Sequence, residues 1–182
     1  DELSLFQSIC EITVTTGQFR MAWIGQVNPD TLELDVSACA GEELGYLSMM
    51  RKVIMKDVPE GRGPTGSALR MKTHFVCHDI ATDPRMALWR DAQLERGYRS
   101  SIALPIFKFG EVAGAFTIYS ATAEFFDNEE VELLKDATAD ISNAFEKLSL
   151  EQMRRNAEAR VLEALDRYDM ITMATSDTIW DW

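Results

Sequence analysis

Three glycines in the stretch PEGRGPTGSALR, residues 59–70, have the G-x-G-x-x-G spacing of a dinucleotide-binding loop. Such a loop follows a buried strand, opens a helix with free backbone N–H groups, and precedes an acidic residue by about 20 positions. Here the preceding segment MRKVIMKDVPE is polar, and Pro64 removes one N–H that could bind phosphate. The candidate acids, Asp79 and Asp83, come too early. We therefore interpret the glycines as a tight connection into a short helix at 65–71.

A second candidate site is the cluster HFVCHD, which contains His74, Cys77 and His78. Imidazole and thiolate groups are common zinc ligands. On a strand, however, the two histidines are separated by about 13 Å, and the cysteine points to the opposite face. We therefore predict no metal site. The sequence shows no Ser-His-Asp arrangement, nucleophile elbow or separate carboxylate pair, so we assign no catalytic residue.

The segment 79–106 places aromatic and basic residues between two strands of the expected sheet, among them Trp89, Tyr98 and Arg85. A helix that carries aromatic side chains over a sheet is a common cover for a small-molecule pocket. Alternatively, Trp89 and Met86 belong to an ordinary core. The residues alone leave both interpretations open.

The elements that must position these residues are predicted from hydrophobic periodicity. Strands at 19–27 and 32–40 form one hairpin, strands at 101–109 and 111–120 form another, and 74–80 is a further strand. Helices are expected at 2–16, 42–50, 65–71 and 84–98. Because the strands pair as hairpins, the sheet is expected to be antiparallel rather than doubly wound and parallel. Pro105 predicts an edge position or a bulge.

Strict alternation also assigns faces to the strands of the first hairpin. In the second strand it places Leu32, Leu34, Val36 and Ala38 on one inward face. In the first strand it places Phe19 on the same face as Met21, Trp23 and Val27.

From Asn128 onward the sequence has no glycine or proline and predicts one long helix, or two with a break. Apolar residues recur there every three or four positions, with a slip near Ser149. An apolar seam without a core to pack on favours pairing with a second copy of the chain as a coiled coil. A helix that folds back on its own domain is the alternative. The expected dimer residues are Leu150, Met153, Ala157, Val161, Leu165 and Tyr168.

The composition limits the classes of partner and compartment. The formal net charge is −12, from 18 basic and 30 acidic residues, which disfavours nucleic acid as a partner. No apolar run approaches the roughly 20 residues that span a bilayer, so membrane contact is not indicated in this segment. Three cysteines form no disulfide framework. We expect a cytoplasmic domain, although the full-length protein could be anchored in a membrane upstream.

Several motifs occur together in the order found in one family. The pieces FRMAWIG, GRGPTGSAL, DIATDPRM, GYRSSIALPI and GEVAGAFTIYS make the chain from its N-terminal helix to about Leu148 resemble a GAF domain. The resemblance implies an α/β fold of the α+β type: a central antiparallel sheet of five or six strands flanked by helices, GAF/PAS-like, with a long C-terminal helix. It also implies a ligand pocket covered by residues 61–98. The pocket candidates are Trp23, Cys39, Phe75, Asp79, Arg85, Met86, Trp89, Tyr98, Ser101 and Ala103.

Three activities of the family can be compared with this chain. GAF domains that reduce free methionine sulfoxide carry a catalytic cysteine at the place of Thr65, and a hydroxyl cannot do that chemistry. Cys77-His78 resembles the pair of bilin-binding members only superficially, so no covalent cofactor is expected. The lysine-containing signature of members that bind cyclic nucleotides is absent.

The resemblance therefore implies a non-catalytic domain that senses an unidentified small molecule. Such domains are found ahead of diguanylate cyclase, phosphodiesterase or histidine kinase modules in bacterial signalling proteins. Residues 1–148 would form the sensory domain, residues 149–171 a signalling helix, and residues 172–182 resemble the truncated start of a PAS domain. The chain would form a homodimer through its terminal helices. The alternatives are a ligand-free dimerisation module and an enzyme similar to the free methionine sulfoxide reductases.

Overall fold

The structure is a computed structural model that describes residues 1–49 and 53–176 of the chain, with the side chains of these residues except 169 and 171–176. The chain divides into two compact units, Asp1–Phe145 and a second unit that begins at Glu146.

Twelve segments of regular structure follow one another along the described residues. The strands are β1 (Met21–Val27), β2 (Leu34–Gly41), β3 (Phe75–Cys77), β4 (Ser100–Lys108) and β5 (Glu111–Ser120). The α-helices are α1 (Glu2–Gly17), α2 (Tyr46–Met49), α3 (Pro64–Met71), α4 (Arg90–Glu95) and α5 (Asn128–Ser176). Two short 3₁₀ helices lie at Pro59–Gly61 and Pro84–Met86.

The five strands form one antiparallel sheet in the order β2-β1-β5-β4-β3. Both predicted hairpins and the predicted fold class are confirmed. Pro105 lies in β4 beyond the last residue that β3 pairs with, Ala103. Pro105 pairs with Ala115 of β5, and the register of β4 shifts just after it, between Ile106 and Phe107. In the described pairing β4 thus has a partner strand on one side only at this residue, next to an irregularity of the strand.

One face of the sheet, which we call the helix face, packs against α1 and the first turns of α5. Its core consists of aliphatic residues and phenylalanines, such as Ile24, Phe116 and Ile118. Phe6 of α1 meets Phe145 of α5 edge-on, with ring centroids 5.2 Å apart. Phe19 belongs to this core, stacked 5.9 Å from a second phenylalanine. The predicted face of Phe19 was therefore wrong, because the residue precedes β1 and escapes its alternation.

The opposite face, the pocket face, has a core of different composition. It holds Met21, Trp23 and Cys77 together with three tyrosines, Tyr46, Tyr98 and Tyr119. The segment from residue 59 to residue 95, which we call the covering segment, supplies Leu69 and Met86 to this core.

Strand β2 does not alternate strictly, because the register shifts where Ile24 pairs with Ala38 and Gly25 pairs with Val36. The extra residue is a β-bulge, which moves the following side chains to the other face. Leu34 consequently packs in the pocket-face core, Ala38 packs in the helix-face core, and Val36 is exposed. The predicted common inward face of these residues was wrong for this reason.

The covering segment contains shorter elements than predicted. Instead of one helix at 84–98, a 3₁₀ turn at Pro84–Met86 is followed by α4, with Trp89 in a non-helical conformation between them. The carboxylate of Asp83 accepts the Arg85 N–H at 2.9 Å and so begins the 3₁₀ turn. The predicted strand 74–80 is limited to β3, because the Asp79 carboxylate accepts the Ala81 N–H at 3.1 Å and turns the chain away.

The predicted helix at 42–50 is likewise reduced to α2. The Glu43 carboxylate accepts backbone N–H groups of Gly45 at 2.8 Å and Leu47 at 2.5 Å. These bonds stabilise a turn, in which Gly45 has a φ of 75°, so helix begins only at Tyr46. Met50, the predicted last residue, lies outside the described residues.

Helix α5 is continuous over 49 residues, as the absence of glycine and proline predicts. In the first unit it buries Val131, Leu134, Ile141 and Phe145 against the helix face. In the second unit the side chains at the predicted dimer positions are exposed. The boundaries predicted at residues 148 and 171 stay predictions, and most of the proposed PAS start, 177–182, lies outside the described residues.

Candidate ligand pocket

A narrow pocket with a cavity volume of about 20 Å³ lies between the pocket face and the covering segment. That volume holds about one water molecule, so a larger ligand can enter only if the covering segment moves outward. The sheet contributes Ser101, Thr117 and Tyr119. The other lining residues are Tyr46, Val53, Glu60, Gly63, Pro64, Thr65, Gly66, Met86, Trp89 and Gln93.

The three glycines of the loop fit this cover because each has no room for a side chain. A Cβ at Gly61 would lie 2.0 Å from the Lys56 carbonyl oxygen, and one at Gly66 would lie 2.3 Å from the Gly61 carbonyl oxygen. A Cβ at Gly63 would lie 2.6 Å from Cζ3 of Trp89. The glycines thus serve close packing at the start of α3, as the tight-connection interpretation predicts, and Gly63 leaves space for the indole ring.

Trp89 and Gln93 occupy the covering side of the pocket four residues apart. The Gln93 N–H donates to the Trp89 carbonyl at 3.0 Å and so begins α4, and the side chains of both residues line the pocket. Both side chains are nearly fully buried. Arg90, between them, holds the segment in place by donating to the carbonyl oxygens of Ile80 at 3.2 Å and Asp83 at 2.7 Å.

The pocket contains hydrogen bonds between side chains from distant parts of the chain. The hydroxyl groups of Thr65 and Thr117 lie 3.2 Å apart and connect α3 to β5. The Gln93 amide nitrogen donates to the Tyr46 hydroxyl at 2.6 Å. Among the described residues, however, Trp89 Nε1 and Gln93 Oε1 have no hydrogen-bond partner although both atoms are buried.

The tyrosines beside the pocket form a contiguous aromatic cluster. The Tyr98 and Tyr119 rings stack with centroids 4.7 Å apart, and Tyr46 meets both edge-on. Burial raises the pKa of all three hydroxyl groups, because a low-dielectric environment disfavours phenolate. The cluster is therefore uncharged at neutral pH and forms an aromatic wall.

Comparison with known proteins identifies the family of this domain. Residues 1–146 match the sequence model of the GAF domain family. The chain belongs to that family. Among curated proteins no sequence matches the chain.

Solved structures that resemble this GAF domain include GAF domains of larger proteins and sulfoxide reductases. The GAF domain of a phosphoenolpyruvate-protein phosphotransferase from Coxiella burnetii has a TM-score of 0.67 at 13% identity, over 84% of this chain and 87% of that chain. The GAF domain region of a putative membrane protein from Geobacter sulfurreducens has a TM-score of 0.66 at 18% identity, over 80% of this chain and 93% of that chain. A free methionine-R-sulfoxide reductase from Neisseria meningitidis, in complex with its substrate, has a TM-score of 0.65 at 18% identity, over 80% of this chain and 78% of that chain. At these identities the likeness shows the fold alone.

The ten predicted pocket residues of this GAF domain fall into three groups. Met86, Trp89 and Ser101 line the pocket. Beside or beneath them on the pocket face are Trp23, Cys39, Tyr98 and Ala103.

The third group, Phe75, Asp79 and Arg85, lies away from the pocket and has other contacts. The Arg85 guanidinium lies 4.4 Å from the centre of the Phe75 ring and pairs with the Asp83 carboxylate. Asp79 pairs with Arg99 at 3.4 Å. The hydrogen bond from the Ala81 N–H and the Arg99 side chain lower the pKa of the Asp79 carboxyl. The Asp79 carboxylate therefore stabilises the turn after β3.

Most lining residues that the sequence did not predict come from two motif pieces, Gly63 to Gly66 from GRGPTGSAL and Thr117 and Tyr119 from GEVAGAFTIYS. Gln93 had a usable signal, since it follows Trp89 by four residues in a helical segment. Thr65 also had one, since it stands where the reductases of this family carry cysteine. Tyr46 and Val53 had none, because only tertiary structure brings these two residues to the pocket.

None of the three thiols in the chain has a lowered pKa. Burial raises the pKa of Cys10 and of Cys77 from 9.0 to about 12 in each case, and it also raises the pKa of Cys39. A nucleophilic cysteine requires the opposite shift, because thiolate is the reactive form. In the place of the reductase cysteine, Thr65 is bound to Thr117.

The His-Cys cluster of the sequence is divided in the structure. Cys77 is buried in the pocket-face core, whereas His74 and His78 line a shallow surface depression together with Arg85. Within residues 1–49 and 53–176, no three side chains of types that ligate metals come together as a possible ion site. In the same ranges no helix is both apolar and long enough to cross a bilayer.

Proposed function

We propose that this GAF domain is a regulatory domain without catalytic activity of its own, which binds a small molecule in the pocket beneath Trp89. Binding would bias the terminal helices between two packings and pass that change to a downstream output, such as a diguanylate cyclase, a phosphodiesterase or a histidine kinase. A ligand can do this only if it binds the two states with different affinity. The protein would work in the cytoplasm.

The observation that carries the proposal is the pocket itself. It combines aromatic and apolar walls with a few directed polar groups, which is the usual composition of small-molecule sites. Its cover consists of short elements, a 3₁₀ turn and the six-residue α4. Short elements of this kind can move without disturbing the helix-face core, because they share few contacts with it.

A thermal-shift measurement on the whole chain tests ligand binding. Metabolites, nucleotides and haem are screened with the wild type, the variant Trp89→Ala and the control Leu88→Ala, whose parent side chain is 43% exposed. A ligand at about 100 times its Kd stabilises by about 2.7 kcal/mol, or about 5–10 °C here. We expect at least one compound to stabilise the wild type and Leu88→Ala but not Trp89→Ala.

Failure of every compound in the screen would contradict ligand sensing. That result would favour a ligand-free dimerisation module, in which the filled pocket serves only stability. The rival enzyme is a free methionine sulfoxide reductase, the activity named for several structures of similar fold. We expect no reduction of free methionine sulfoxide above the rate without protein, and turnover would overturn the non-catalytic assignment.

Dimerisation through α5 is the second part of the proposal. Leu150, Met153, Ala157 and Val161 are exposed and follow one another at intervals of three, four and four residues. Eleven residues for three turns, about 3.7 per turn, is close to the period of a straight helix. The stripe therefore stays on one side without strong supercoiling. An exposed apolar stripe of regular period is typical of helices that pair with a second copy.

Two ion pairs in the second unit are consistent with an apolar stripe that faces a second copy of the chain. Arg155 pairs with Glu151 at 2.5 Å and Arg154 with Glu158 at 3.6 Å. The Arg154–Glu158 pair lies beside the apolar stripe, whereas the Arg155–Glu151 pair lies toward the opposite side of the helix, so both pairs can stay in water while the stripe is covered.

Two alanine variants in the second unit give a matched test of dimerisation. Ala157 lies within the stripe, whereas Ala159, two residues on, lies on the opposite side of the helix. Ala157→Glu places a carboxylate in the proposed interface and is expected to raise the dimer Kd at least about tenfold. Ala159→Glu is expected to leave it unchanged in sedimentation equilibrium. Equal effects of both variants, or a monomeric wild type, would contradict the helix-mediated dimer.

A further inference from the structure

Two buried polar atoms in the pocket lack a partner within the described chain. Trp89 Nε1 is a donor only, and Gln93 Oε1 is an acceptor. Buried polar groups in proteins are nearly always hydrogen-bonded, so each exception calls for a partner. A third such atom, Trp23 Nε1, belongs to a residue that does not line the pocket.

The Gln93 amide is oriented with its nitrogen toward the Tyr46 hydroxyl. The Gln93 nitrogen donates to the Tyr46 hydroxyl at 2.6 Å, which leaves the oxygen as the atom without a partner. Trp89 and Gln93 both belong to the covering segment and both line the pocket, so the free donor and the free acceptor lie on its covering side. One ligand group that contains both an acceptor and an N–H can therefore meet both atoms, provided that the covering segment moves outward to admit the rest of the ligand.

The charges around the pocket limit the ligand further. Among the described lining residues, the one charged side chain is that of Glu60. No lining lysine or arginine is described that could compensate a buried anion, and uncompensated burial of a charge is strongly unfavourable. Anionic ligands are thus disfavoured. The aromatic side chains of Tyr46, Trp89 and Tyr119 suit a planar ring.

We propose that the pocket binds a small planar molecule without negative charge that carries a primary carboxamide or an equivalent neutral group, with an N–H next to an oxygen or nitrogen acceptor. The ligand acceptor receives the Trp89 Nε1–H, and the ligand N–H donates to Gln93 Oε1. This inference rests on the proposed ligand-sensing function and specifies the ligand class of the same pocket.

Three compounds of nearly equal size and shape differ in charge and in their hydrogen-bonding groups. Differences in their affinity therefore report on those two properties. Benzamide is neutral and has both a donor and an acceptor, benzamidine is a cation with donors only, and benzoate is an anion with acceptors only. Each is titrated by NMR into the ¹⁵N-labelled whole chain. The indole N–H resonance of Trp89 is identified by its loss in Trp89→Phe. We expect benzamide to bind at least tenfold more tightly than benzoate and to shift this resonance.

Two variants test the individual contacts. Trp89→Phe keeps an aromatic ring but removes the indole N–H, and we expect it to weaken benzamide about fivefold. Gln93→Glu keeps an oxygen acceptor, which the Tyr46 hydroxyl can meet by donating, and adds a negative charge. We expect benzamidine to bind more tightly than benzamide to this variant, because the added carboxylate pairs with the cation. The control Gln152→Glu makes the same change at an exposed position of α5 and should leave the order unchanged.

The results separate this inference from the function on which it rests. Benzoate binding as tightly as benzamide, no effect of Trp89→Phe on benzamide, or no binding of any of the three compounds overturns the proposed ligand class. If, in addition, a compound from the thermal screen stabilises the wild type but not Trp89→Ala, sensing stands with a different ligand class. If no compound of that screen binds either, both proposals fail.

Discussion

The helix face and the pocket face of the sheet are both covered, but by different kinds of side chain. On the helix face, strands and helices interdigitate through aliphatic and phenylalanine side chains. On the pocket face, two tyrosines, one tryptophan, two threonines and a glutamine are among the residues that line a narrow cavity of about 20 Å³. Long helices cover the first face, whereas 3₁₀ turns and short helices cover the second.

This difference supports the proposal that a ligand would act on the pocket face. A close-packed apolar core resists change, since even one added or removed methylene is felt. Short covering elements with directed polar groups can instead adjust around a bound molecule. We therefore expect the helix face to connect the sheet to α5 as a rigid part, and ligand binding to change the conformation of the pocket face.

The largest expected contrast comes from two neighbouring residues of β5 whose side chains point to opposite faces. Phe116→Ala removes a ring that is 2% exposed in the helix-face core and is expected to lower the free energy of unfolding by about 3–5 kcal/mol. Thr117→Val removes the hydroxyl that meets Thr65 in the pocket and is expected to cost about 1 kcal/mol. Urea denaturation measures both. Equal losses would contradict the distinction between the faces.

Alkaline pH should act more strongly on the pocket face. Burial raises the pKa of the three tyrosines and of Cys77 there, whereas Cys10 is the corresponding group on the helix face. A raised folded-state pKa means that stability is complete below the unfolded-state pKa, here 9.0 for thiols and 10.0 for phenols. It is lost as the pH rises further.

We therefore expect the urea midpoint to be constant up to about pH 9 and to fall above it. Hydrogen exchange, corrected for the intrinsic effect of pH, should accelerate first in the covering segment. In Tyr119→Phe the fall should be smaller, because one ionisable phenol is removed. A midpoint that stays constant up to pH 11 would contradict this account of the buried tyrosines.

The smallest expected effect on stability is that of Gly63→Ala. Gly63 has an ordinary φ of −67°, so alanine introduces no backbone strain. Its Cβ would, however, lie 2.6 Å and 2.8 Å from two atoms of the Trp89 ring. We expect a loss of about 1 kcal/mol and a displaced indole, seen as a changed tryptophan emission maximum and a lost thermal shift with ligand. Unchanged emission and ligand response would show that the loop does not position Trp89.

The sequence was sufficient for the parts of the fold that local pattern determines. The hairpins could be predicted because alternating strands flank short turns, and α5 could be predicted because nothing after Gly114 breaks a helix. The bulge in β2 could not, since it depends on how Ile24 and Gly25 pair with the neighbouring strand. Because the bulge was not predicted, strict alternation placed the side chains of Leu34 and Ala38 on the same face.

The candidate site was predicted only where one residue type was distinctive. Trp89 and Met86 are large apolar residues in a segment that had to cover a sheet. Gln93 was missed because a single polar residue in a short helix is typical of a solvated face. Arg85 was placed in the pocket by its sequence position, but its carboxylate partner Asp83 and its stacking on Phe75 hold it outside.

The most direct test of ligand sensing is an NMR titration of the whole ¹⁵N-labelled chain with the compound that raises its melting temperature most. We predict changes in backbone and side-chain resonances at Thr65, Trp89, Gln93 and Thr117. The amides of Phe6 and Cys10, whose side chains lie in the helix-face core, should change little. Changes centred on the helix face, or a stabilising compound that leaves the pocket resonances unaltered, would contradict the account.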